Sequence, residues 1–312
     1  MTELSVALIV PCYNEASTIG EVIKSFKAVI PDIRAYVYDN NSTDETITVA
    51  RAAGAYVYSV SYQGKGNVVR KMFADIDADI YVMVDGDATY DAASAPKLIQ
   101  VLIDNKLDMV TGKRVSSEME AYRHGHRFGN KLLTGIVAKA FGKQFDDMLT
   151  GYRVFSRRFV KSFPATARGF EIETELTIHS LEQRLPVAEI ETPYGVRPEG
   201  SESKLNTYSD GFKILQVIFL LIKEEKPLQF FSAVAVLLFV LSLALAWPIF
   251  LTYIETGLVP RLPTAILSTG LMLLSFLTVM SGVIMDAVAQ SRKESRRFQY
   301  LLHKSVADKL VD

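Results

Sequence analysis

Two long stretches without a charged side chain lie in the last third of this 312-residue sequence. Residues 227–254 form an uncharged run of 28, and residues 262–285 form one of 24. Because about 20 apolar residues let an α-helix cross the hydrocarbon core of a bilayer, each run predicts a membrane-spanning helix. We expect these helices over residues 228–253 and 263–287. Gly257 and Pro260 lie between them, which predicts a helical hairpin; two buried helices of a soluble bundle are the alternative.

Basic residues stand at both outer ends of this predicted hairpin. They are Lys223, Lys226, Arg292, Lys293, Arg296 and Arg297. The positive-inside rule then places both ends in the cytoplasm and the turn outside. The chain opens MTELSVALIV, without the basic segment and cleavage site of a signal peptide. We therefore expect an inner (plasma) membrane protein with two membrane helices, a cytoplasmic catalytic domain and both termini in the cytoplasm.

The stretch just before the first run has apolar residues at a helical spacing. They are Leu205, Tyr208, Phe212, Leu215, Phe219 and Ile222, and they form one face of a helix. Such a helix can lie in the membrane interface or pack on the preceding domain. The predicted organisation is a domain over 1–204, an amphipathic helix over 205–226, the hairpin over 227–290 and a cytoplasmic tail over 291–312.

The first 115 residues alternate short apolar runs with segments of helical periodicity. Residues 4–10, 33–38, 55–60, 80–84 and 108–111 predict strands, and residues 19–30 predict a helix that Pro31 ends. Ser42 and Glu45 fit a capping box at the start of the next helix. Strands alternating with helices predict an α/β fold with a doubly wound, mostly parallel sheet.

Each predicted strand is followed by polar or glycine-rich residues, at 11–15, 39–44, 64–67, 85–87 and 112–114. Ligands bind beyond the carboxyl ends of the strands in such sheets, so these segments predict one polar cleft. Asp85 and Asp87 are the sharpest element, because Mg²⁺ is usually held by one or two carboxylates plus substrate phosphates. Thr89 offers a further oxygen. An exposed turn or a helix cap is the alternative for this D-x-D sequence.

Charge and cysteine content exclude several classes of protein. Lys plus Arg is 34 and Asp plus Glu is 35, a net charge of -1, so we expect no nucleic-acid partner. Cys12 is the single cysteine, which excludes an intramolecular disulfide and a cysteine-based zinc site.

The motifs, taken in order, resemble a known family. P-x-Y-N-E, D-x-x-S-x-D, G-K-G, D-x-D and G-x-R resemble the nucleotide-diphospho-sugar domain of family 2, GT-A-type glycosyltransferases, over residues 4–205. Residues 147–153 (DMLTGYR) resemble the D-x-x-S-G-F-R element of polyprenyl-phosphate glycosyltransferases, and 197–204 (RPEGSESK) resemble their R-x-x-G-x-S-K segment with one extra residue. That group includes dolichol-phosphate mannose synthase and bacterial undecaprenyl-phosphate glucosyltransferases.

The resemblance implies an inverting hexosyltransferase that moves one sugar to undecaprenyl or polyprenyl phosphate and so makes a lipid-linked donor for cell-envelope glycan modification. The implied partners are a nucleotide sugar (UDP favoured, GDP possible), polyprenyl phosphate, membrane lipid and further copies of the chain in a tetramer. The implied cofactor is Mg²⁺ or Mn²⁺. The chain departs from the family at Asn40, where a second acid is frequent, and at Thr89, where Gln is frequent.

The same resemblance implies roles for individual residues. The catalytic residues would be Asp87, Asp147 and Arg114. The nucleotide sugar would contact Pro11, Tyr13, Glu15, Asp39, Lys65, Asp85 and Asp87, with Asp39 at the base. The metal would be held by Asp85, Asp87 and Thr89. Phosphate or acceptor would be bound by Arg114, Arg127, Arg153, Arg197, Ser203 and Lys204. Asp147 would position the acceptor side, or act as a general base; Arg127 and Arg153 could instead form structural ion pairs.

Three other functions are compatible with these motifs. Processive polysaccharide synthases share the first half but carry a Q-x-x-R-W element and more membrane helices, whereas the single tryptophan here, Trp247, lies in the first uncharged run. A non-catalytic membrane scaffold that binds nucleotide sugars belongs to another class. A hydrolase using Asp85 and Asp87 as acid and base is also conceivable. The metal-like spacing and the predicted lipid anchor favour glycosyl transfer.

Overall fold

A computed structural model describes residues 4–115, 124–198 and 207–311. It contains two compact units, one comprising Met1–Val217 with Arg296–Asp312 and the other Ile218–Ser295. The strands are β1 Val6–Cys12, β2 Arg34–Asp39, β3 Tyr56–Ser59, β4 Ile80–Met83, β5 Met109–Val115, β6 Arg153–Ser156 and β7 Val187–Pro193. The helices are α1 Ile19–Val29, α2 Thr46–Ala52, α3 Lys65–Asp75, α4 Ala95–Asp104, α5 His124–Phe141, α6 Arg157–Ser162, α7 Ile172–Glu182, α8 Thr207–Glu225, α9 Pro227–Thr256, α10 Leu262–Leu301 and α11 Val306–Val311.

The first unit is built around a seven-stranded sheet with the order β3-β2-β1-β4-β6-β5-β7. Only β6 runs against its neighbours β4 and β5, while the pairs β1–β2, β2–β3, β1–β4 and β5–β7 are parallel. The α/β fold with a mostly parallel sheet is therefore confirmed. Its core is made by the apolar strand residues and by the buried face of α1, which carries Ile19, Val22, Ile23 and Phe26.

Two strands that the sequence pattern does not predict complete the sheet, β6 and β7. β6 inserts between β4 and β5, and β7 pairs with β5 from Met109↔Val187 to Val115↔Pro193. This long edge pairing keeps β5 in strand conformation beyond its apolar part. Residues 112–114 therefore lie inside β5, and the expectation that they follow the strand is wrong.

The predicted capping box is also wrong. Glu45 is the N-cap residue of α2, with no capping hydrogen bond from its side chain. Ser42 Oγ accepts a hydrogen bond from the backbone N–H of Asn14 at 2.8 Å, so Ser42 links the loops after β1 and β2. The backbone N–H of Thr46 instead donates to Asp44 Oδ1 at 3.0 Å.

The second unit contains α9 and the apolar part of α10, both long and apolar enough to span a membrane. Ser242 Oγ donates to the carbonyl of Ser268 at 2.8 Å, and Ser275 Oγ donates to that of Ala235 at 2.9 Å. Such bonds satisfy hydroxyl groups between apolar helices. The α10 helix continues to Leu301, past the predicted end of the span at residue 287.

The chain from Arg296 onward belongs to the first unit, and its described part is helical up to Leu301 and again over Val306–Val311. Tyr300 Oη donates to the buried Asp108 Oδ2 at 2.8 Å, and the Arg158 guanidinium lies 4.7 Å from the centre of the Tyr300 ring. Val306 joins the main hydrophobic core. The segment that the sequence suggests is a tail is thus packed against the rest of the first unit.

Candidate functional site

A cavity of about 370 Å³ opens at the carboxyl ends of the parallel strands, within the size range of small-molecule sites. Eight of the residues singled out from the sequence line it: Pro11, Tyr13, Glu15, Lys65, Asp85, Asp87, Arg114 and Arg197. They come from the ends of β1 and β4, the start of α3, the strand β5 and the segment after β7. The sheet topology brings together side chains that are far apart in sequence.

Asp87 is a buried carboxylate held from two sides. Arg197 Nη2 lies 2.6 Å from Asp87 Oδ2, and Thr89 Oγ1 donates to Asp87 Oδ1 at 2.6 Å. Burial raises the pKa of Asp87, and the neighbouring charge of Asp85 raises it further, while Arg197 opposes both effects. Binding of a cation between the two carboxylates is therefore strongly favoured.

The role expected for Thr89 as a third metal ligand is not supported by its position. The side chain is buried, its hydroxyl is used to hold Asp87, and it is not among the described residues that line the cavity. Thr89 orients Asp87, as a result of the tight turn that places the two residues side by side.

Asp85 is the more accessible of the two carboxylates, and Lys65 Nζ contacts its Oδ1. Two glycines leave room for the tight packing around this carboxylate. A Cβ at Gly151 would lie 2.5 Å from Asp85 Oδ2, and a Cβ at Gly86 would lie 2.8 Å from Cys12 Sγ. The residue between the two acids is therefore glycine because the end of β1 packs directly against it.

The donor set of this pair fits Mg²⁺ or Mn²⁺. The part of the chain that the structure describes has no group of three or more His, Cys, Asp or Glu side chains arranged to hold a metal. Two carboxylates one residue apart, in a cavity with room for a phosphate, match the oxygen-rich and incomplete protein site that Mg²⁺ uses with substrate phosphates.

Arg114 and Asp147 form a bidentate ion pair. Arg114 Nε donates to Asp147 Oδ2 and Arg114 Nη2 donates to Oδ1, both at 2.7 Å. The guanidinium also lies 5.5 Å from the centre of the Tyr194 ring. Asp147 is buried, and its backbone N–H donates to Glu189 Oε1 at 3.0 Å. The geometry thus fixes Asp147 as the partner of Arg114 and disfavours the general-base alternative.

The phosphate-binding role that the resemblance implies for Arg153 is wrong, because Arg153 is not among the described residues that line the cavity. The side chain is fully buried. It donates to the carbonyls of Thr150, Met148 and Glu173 at 3.1, 2.6 and 3.1 Å, and to Thr177 Oγ1 at 3.0 Å. Burial lowers the pKa of Arg153 to about 10. Arg153 therefore ties the loop before β6 to α7 through carbonyl and hydroxyl groups, and the alternative of an ion pair has no partner among the described residues.

Asp39 and Asn40 lie at the end of β2 and differ in role. Asp39 is buried; its Oδ2 accepts from the backbone N–H of Ser42 at 3.1 Å, and its Oδ1 has no hydrogen-bond partner within the described residues. Asn40 lines the cavity, but its amide holds the next loop. It accepts from the Gly64 N–H at 2.6 Å and donates to the carbonyls of Val60 and Tyr62 at 3.1 and 2.9 Å.

Three of the expected phosphate-binding side chains are not described. Arg127 lies on α5, with its side chain outside the described part of the structure, and Ser203 and Lys204 lie outside the described residues altogether. Their roles stay predictions.

Three residues that the sequence motifs do not predict at the site also shape the cavity, Tyr90, Glu173 and Tyr194. Tyr90 Oη accepts from the Gly151 N–H at 2.8 Å, and its ring packs 5.4 Å from that of Tyr194. Glu173 Oε1 lies 2.5 Å from Lys65 Nζ. Every residue of α7 from Ile172 to Leu181 is buried. An acidic side chain in such a helix does not face solvent, and this could have marked Glu173 as a candidate site residue.

Comparison with known proteins identifies relatives of this chain. The family model described as "Glycosyl transferase family 2" matches residues 7–163. Glycosyltransferase AglJ of Haloferax volcanii is 31% identical over 295 residues, covering 94% of this chain and 96% of that protein. A dolichyl-phosphate hexose transferase of the same organism is 28% identical over 229 residues, covering 72% of this chain and 99% of that protein.

Solved structures share the fold of the first unit. The structure of glucosyl-3-phosphoglycerate synthase from Mycobacterium tuberculosis, in complex with Mn²⁺, UDP and glucosyl-3-phosphoglycerate, superposes with a TM-score of 0.57. It is 25% identical and covers 70% of this chain and 79% of that one. The sheet described above is therefore a GT-A α/β fold.

Proposed function

This chain belongs to glycosyl transferase family 2, and we propose that it transfers one hexose from a nucleotide-diphosphate sugar to the phosphate of a polyprenyl lipid. The observation that carries the proposal is the convergence of two carboxylates with three cations, Lys65, Arg114 and Arg197, in one cavity. The similarity to a dolichyl-phosphate hexose transferase supports the acceptor class. The UDP and Mn²⁺ of the mycobacterial synthase support a UDP-sugar donor and a divalent cation.

Asp85 and Asp87 would hold Mg²⁺ or Mn²⁺, because they are the paired carboxylates of the cavity. When bound, the cation offsets the negative charge that develops on the leaving nucleoside diphosphate. Lys65 and Arg197 already touch these carboxylates, so their charges lie where the diphosphate would be. Pro11, Tyr13, Glu15 and Asp39 would border the nucleotide, as the resemblance implies.

The acceptor explains why the cavity needs no evident general base. A phosphate monoester has a second pKa near ~6 and is mostly dianionic at neutral pH. One of its oxygens forms the bond to the anomeric carbon, and the bond from that carbon to the diphosphate oxygen breaks. The electron pair leaves with the nucleoside diphosphate, and the configuration inverts. Arg114, held by Asp147, would orient the acceptor phosphate.

The apolar helices give the proposed lipid acceptor a physical basis. A polyprenyl tail stays in the bilayer, and α9 and α10 are long and apolar enough to span one. On α8 the exposed side chains Phe212, Leu215 and Phe219 lie on one face, which suits a helix in the membrane interface. We place the chain in the inner membrane, with the catalytic unit and both termini cytoplasmic, as a homo-oligomer.

A donor screen tests the proposal. Purified protein is mixed with undecaprenyl phosphate, Mg²⁺ or Mn²⁺, and each common UDP-sugar and GDP-sugar in turn, and both nucleoside diphosphate release and lipid mass are recorded. One donor should give a lipid product heavier by a single hexose. A polymeric product would support a processive synthase instead, and nucleotide-sugar binding without any product would support a scaffold.

A further inference from the structure

Lys65 Nζ lies between two carboxylates. It contacts Asp85 Oδ1 and lies 2.5 Å from Glu173 Oε1. Asp85 belongs to the D-G-D loop and its side chain is 30% exposed, whereas the Glu173 side chain in the first turn of α7 is 5% exposed. One ammonium group therefore bridges a carboxylate that faces the cavity and one that is fixed in the wall.

Glu173 is not needed to balance the charge of Lys65. One carboxylate neutralises a buried ammonium group, and Lys65 already contacts Asp85. Burial raises the pKa of Glu173, and Lys65 opposes this shift. The buried guanidinium of Arg153 donates to the backbone carbonyl oxygen of Glu173. In the described part of the chain, the ion-pair partner of the Glu173 carboxylate is Lys65. A second buried acid is thus retained at an electrostatic cost.

The charges of the cluster indicate what the second acid does. Asp85, Asp87 and Glu173 carry three negative charges, and Lys65 and Arg197 carry two positive charges. If a divalent cation binds Asp85, it repels Lys65 at short range. Lys65 can leave Asp85 and stay buried because Glu173 still pairs with it. Without Glu173, the same movement would leave a buried ammonium unpaired, which is strongly unfavourable.

We propose that Glu173 is a positioning residue that holds Lys65 when Asp85 exchanges this lysine for a divalent cation. The inference rests on the proposed function, since it takes Asp85 and Asp87 as the cation site. Lys65, retained by Glu173, then stands beside the cation as a second positive charge for the diphosphate. The exchange is an ion-pair rearrangement, with no covalent step and no net proton transfer.

The test is a double-mutant cycle on Mn²⁺ affinity, with UDP at a fixed concentration and Mn²⁺ followed by electron paramagnetic resonance. Glu173→Gln should weaken Mn²⁺ binding about tenfold when Lys65 is present and less than about twofold in a Lys65→Met background, because the two residues act as a unit. An equal loss in both backgrounds would mean that Glu173 acts only through its charge and would overturn the proposal.

A second variant separates contact from charge. Glu173→Asp keeps the charge but retracts it by one methylene group, so it should also weaken Mn²⁺ binding; wild-type affinity would overturn the proposal. Glu182→Gln makes the same chemical change at the far end of α7 and should leave Mn²⁺ affinity unchanged. Circular dichroism confirms that each variant is folded. A wild-type protein that binds neither Mn²⁺ nor UDP would instead refute the proposed function.

Discussion

Arg197 Nη2 lies 2.6 Å from Asp87 Oδ2, so a residue that follows the last strand of the sheet holds a carboxylate that follows the fourth. The second nitrogen of this guanidinium, Nη1, is buried and has no hydrogen-bond partner among the described residues. A buried donor without a partner is costly. We therefore expect Arg197 both to orient Asp87 and to donate through Nη1 to the diphosphate of the proposed donor.

Asp87 and Asp147 should differ sharply when they are replaced. Asp87→Asn removes charge at the proposed cation site, where charge develops during reaction, and we expect kcat to fall on the order of 10²-fold to 10³-fold. Asp147→Asn keeps the cation site intact and weakens the hold on Arg114, so the main effect should be a higher KM for the acceptor. Steady-state kinetics with the acceptor varied up to saturation give both constants, and comparable losses of kcat in the two variants would contradict this expectation.

Gly151→Ala should damage the site without unfolding the protein. The added Cβ would lie 2.5 Å from Asp85 Oδ2 and must displace this carboxylate. Since small displacements of reacting groups are costly, we expect kcat/KM for the donor to fall on the order of tenfold to a hundredfold. The matched control is Gly135→Ala on α5, where no atom of the described residues lies within 4 Å of the new Cβ. Equal activity of the two variants would refute the crowding argument.

Arg153 should matter for stability. Arg153→Met removes hydrogen bonds to three carbonyls and one hydroxyl in the interior, and we expect the free energy of unfolding to fall on the order of 3 kcal/mol. Arg157→Met is the control, because Arg157 pairs with Asp77 at the surface and such pairs contribute about 0–1 kcal/mol. Urea unfolding followed by circular dichroism gives both values. A stable Arg153→Met protein with impaired donor binding would restore the phosphate-binding role.

His179 should make the first unit sensitive to acid. It is buried against the rings of Phe159 and Phe163, and burial, followed by the charge of Arg296, lowers its pKa to about 3. In the unfolded chain this histidine binds a proton near pH ~6.5, whereas in the folded chain it stays neutral. The free energy of unfolding therefore keeps the full contribution of the neutral histidine above that pH and falls as the pH decreases toward 3.

The histidine's contribution can be isolated with one variant. His179→Leu removes the titrating group, so the loss of stability between pH 6.5 and pH 4 should become shallower by up to about 1.4 kcal/mol per pH unit. Thermal melts across this range measure the slope. Parallel pH profiles for the wild type and the variant would show that His179 does not titrate as its burial predicts.

Much of the site is predictable because it depends on local patterns. Short apolar runs mark the strands, and polar residues in the segments that follow, such as Asp85, Asp87 and Lys65, meet at one edge of a parallel sheet. The same reasoning places Arg114 near this edge even though its strand is longer than predicted. The position of these residues at the edge follows from where the strands end and does not depend on contacts with distant parts of the chain.

The errors concern residues whose roles depend on the tertiary arrangement. Arg153 opens a strand that enters the sheet in the antiparallel direction between two others, and no local pattern reveals that its side chain faces α7. Thr89 carries an oxygen that could bind a metal, but the turn directs its hydroxyl to Asp87. Glu173 meets Lys65 only because α7 packs beside α3.

Transfer to a lipid phosphate is tested most directly by offering the purified protein two lipids with the same tail. Undecaprenyl phosphate and undecaprenol are each incubated with the donor found in the screen and Mn²⁺, and lipid mass is compared with nucleoside diphosphate release. We expect one hexose per molecule of undecaprenyl phosphate, one nucleoside diphosphate per hexose, and no product from undecaprenol. Equal glycosylation of both lipids, or nucleoside diphosphate release without a lipid product, would contradict transfer to a polyprenyl phosphate.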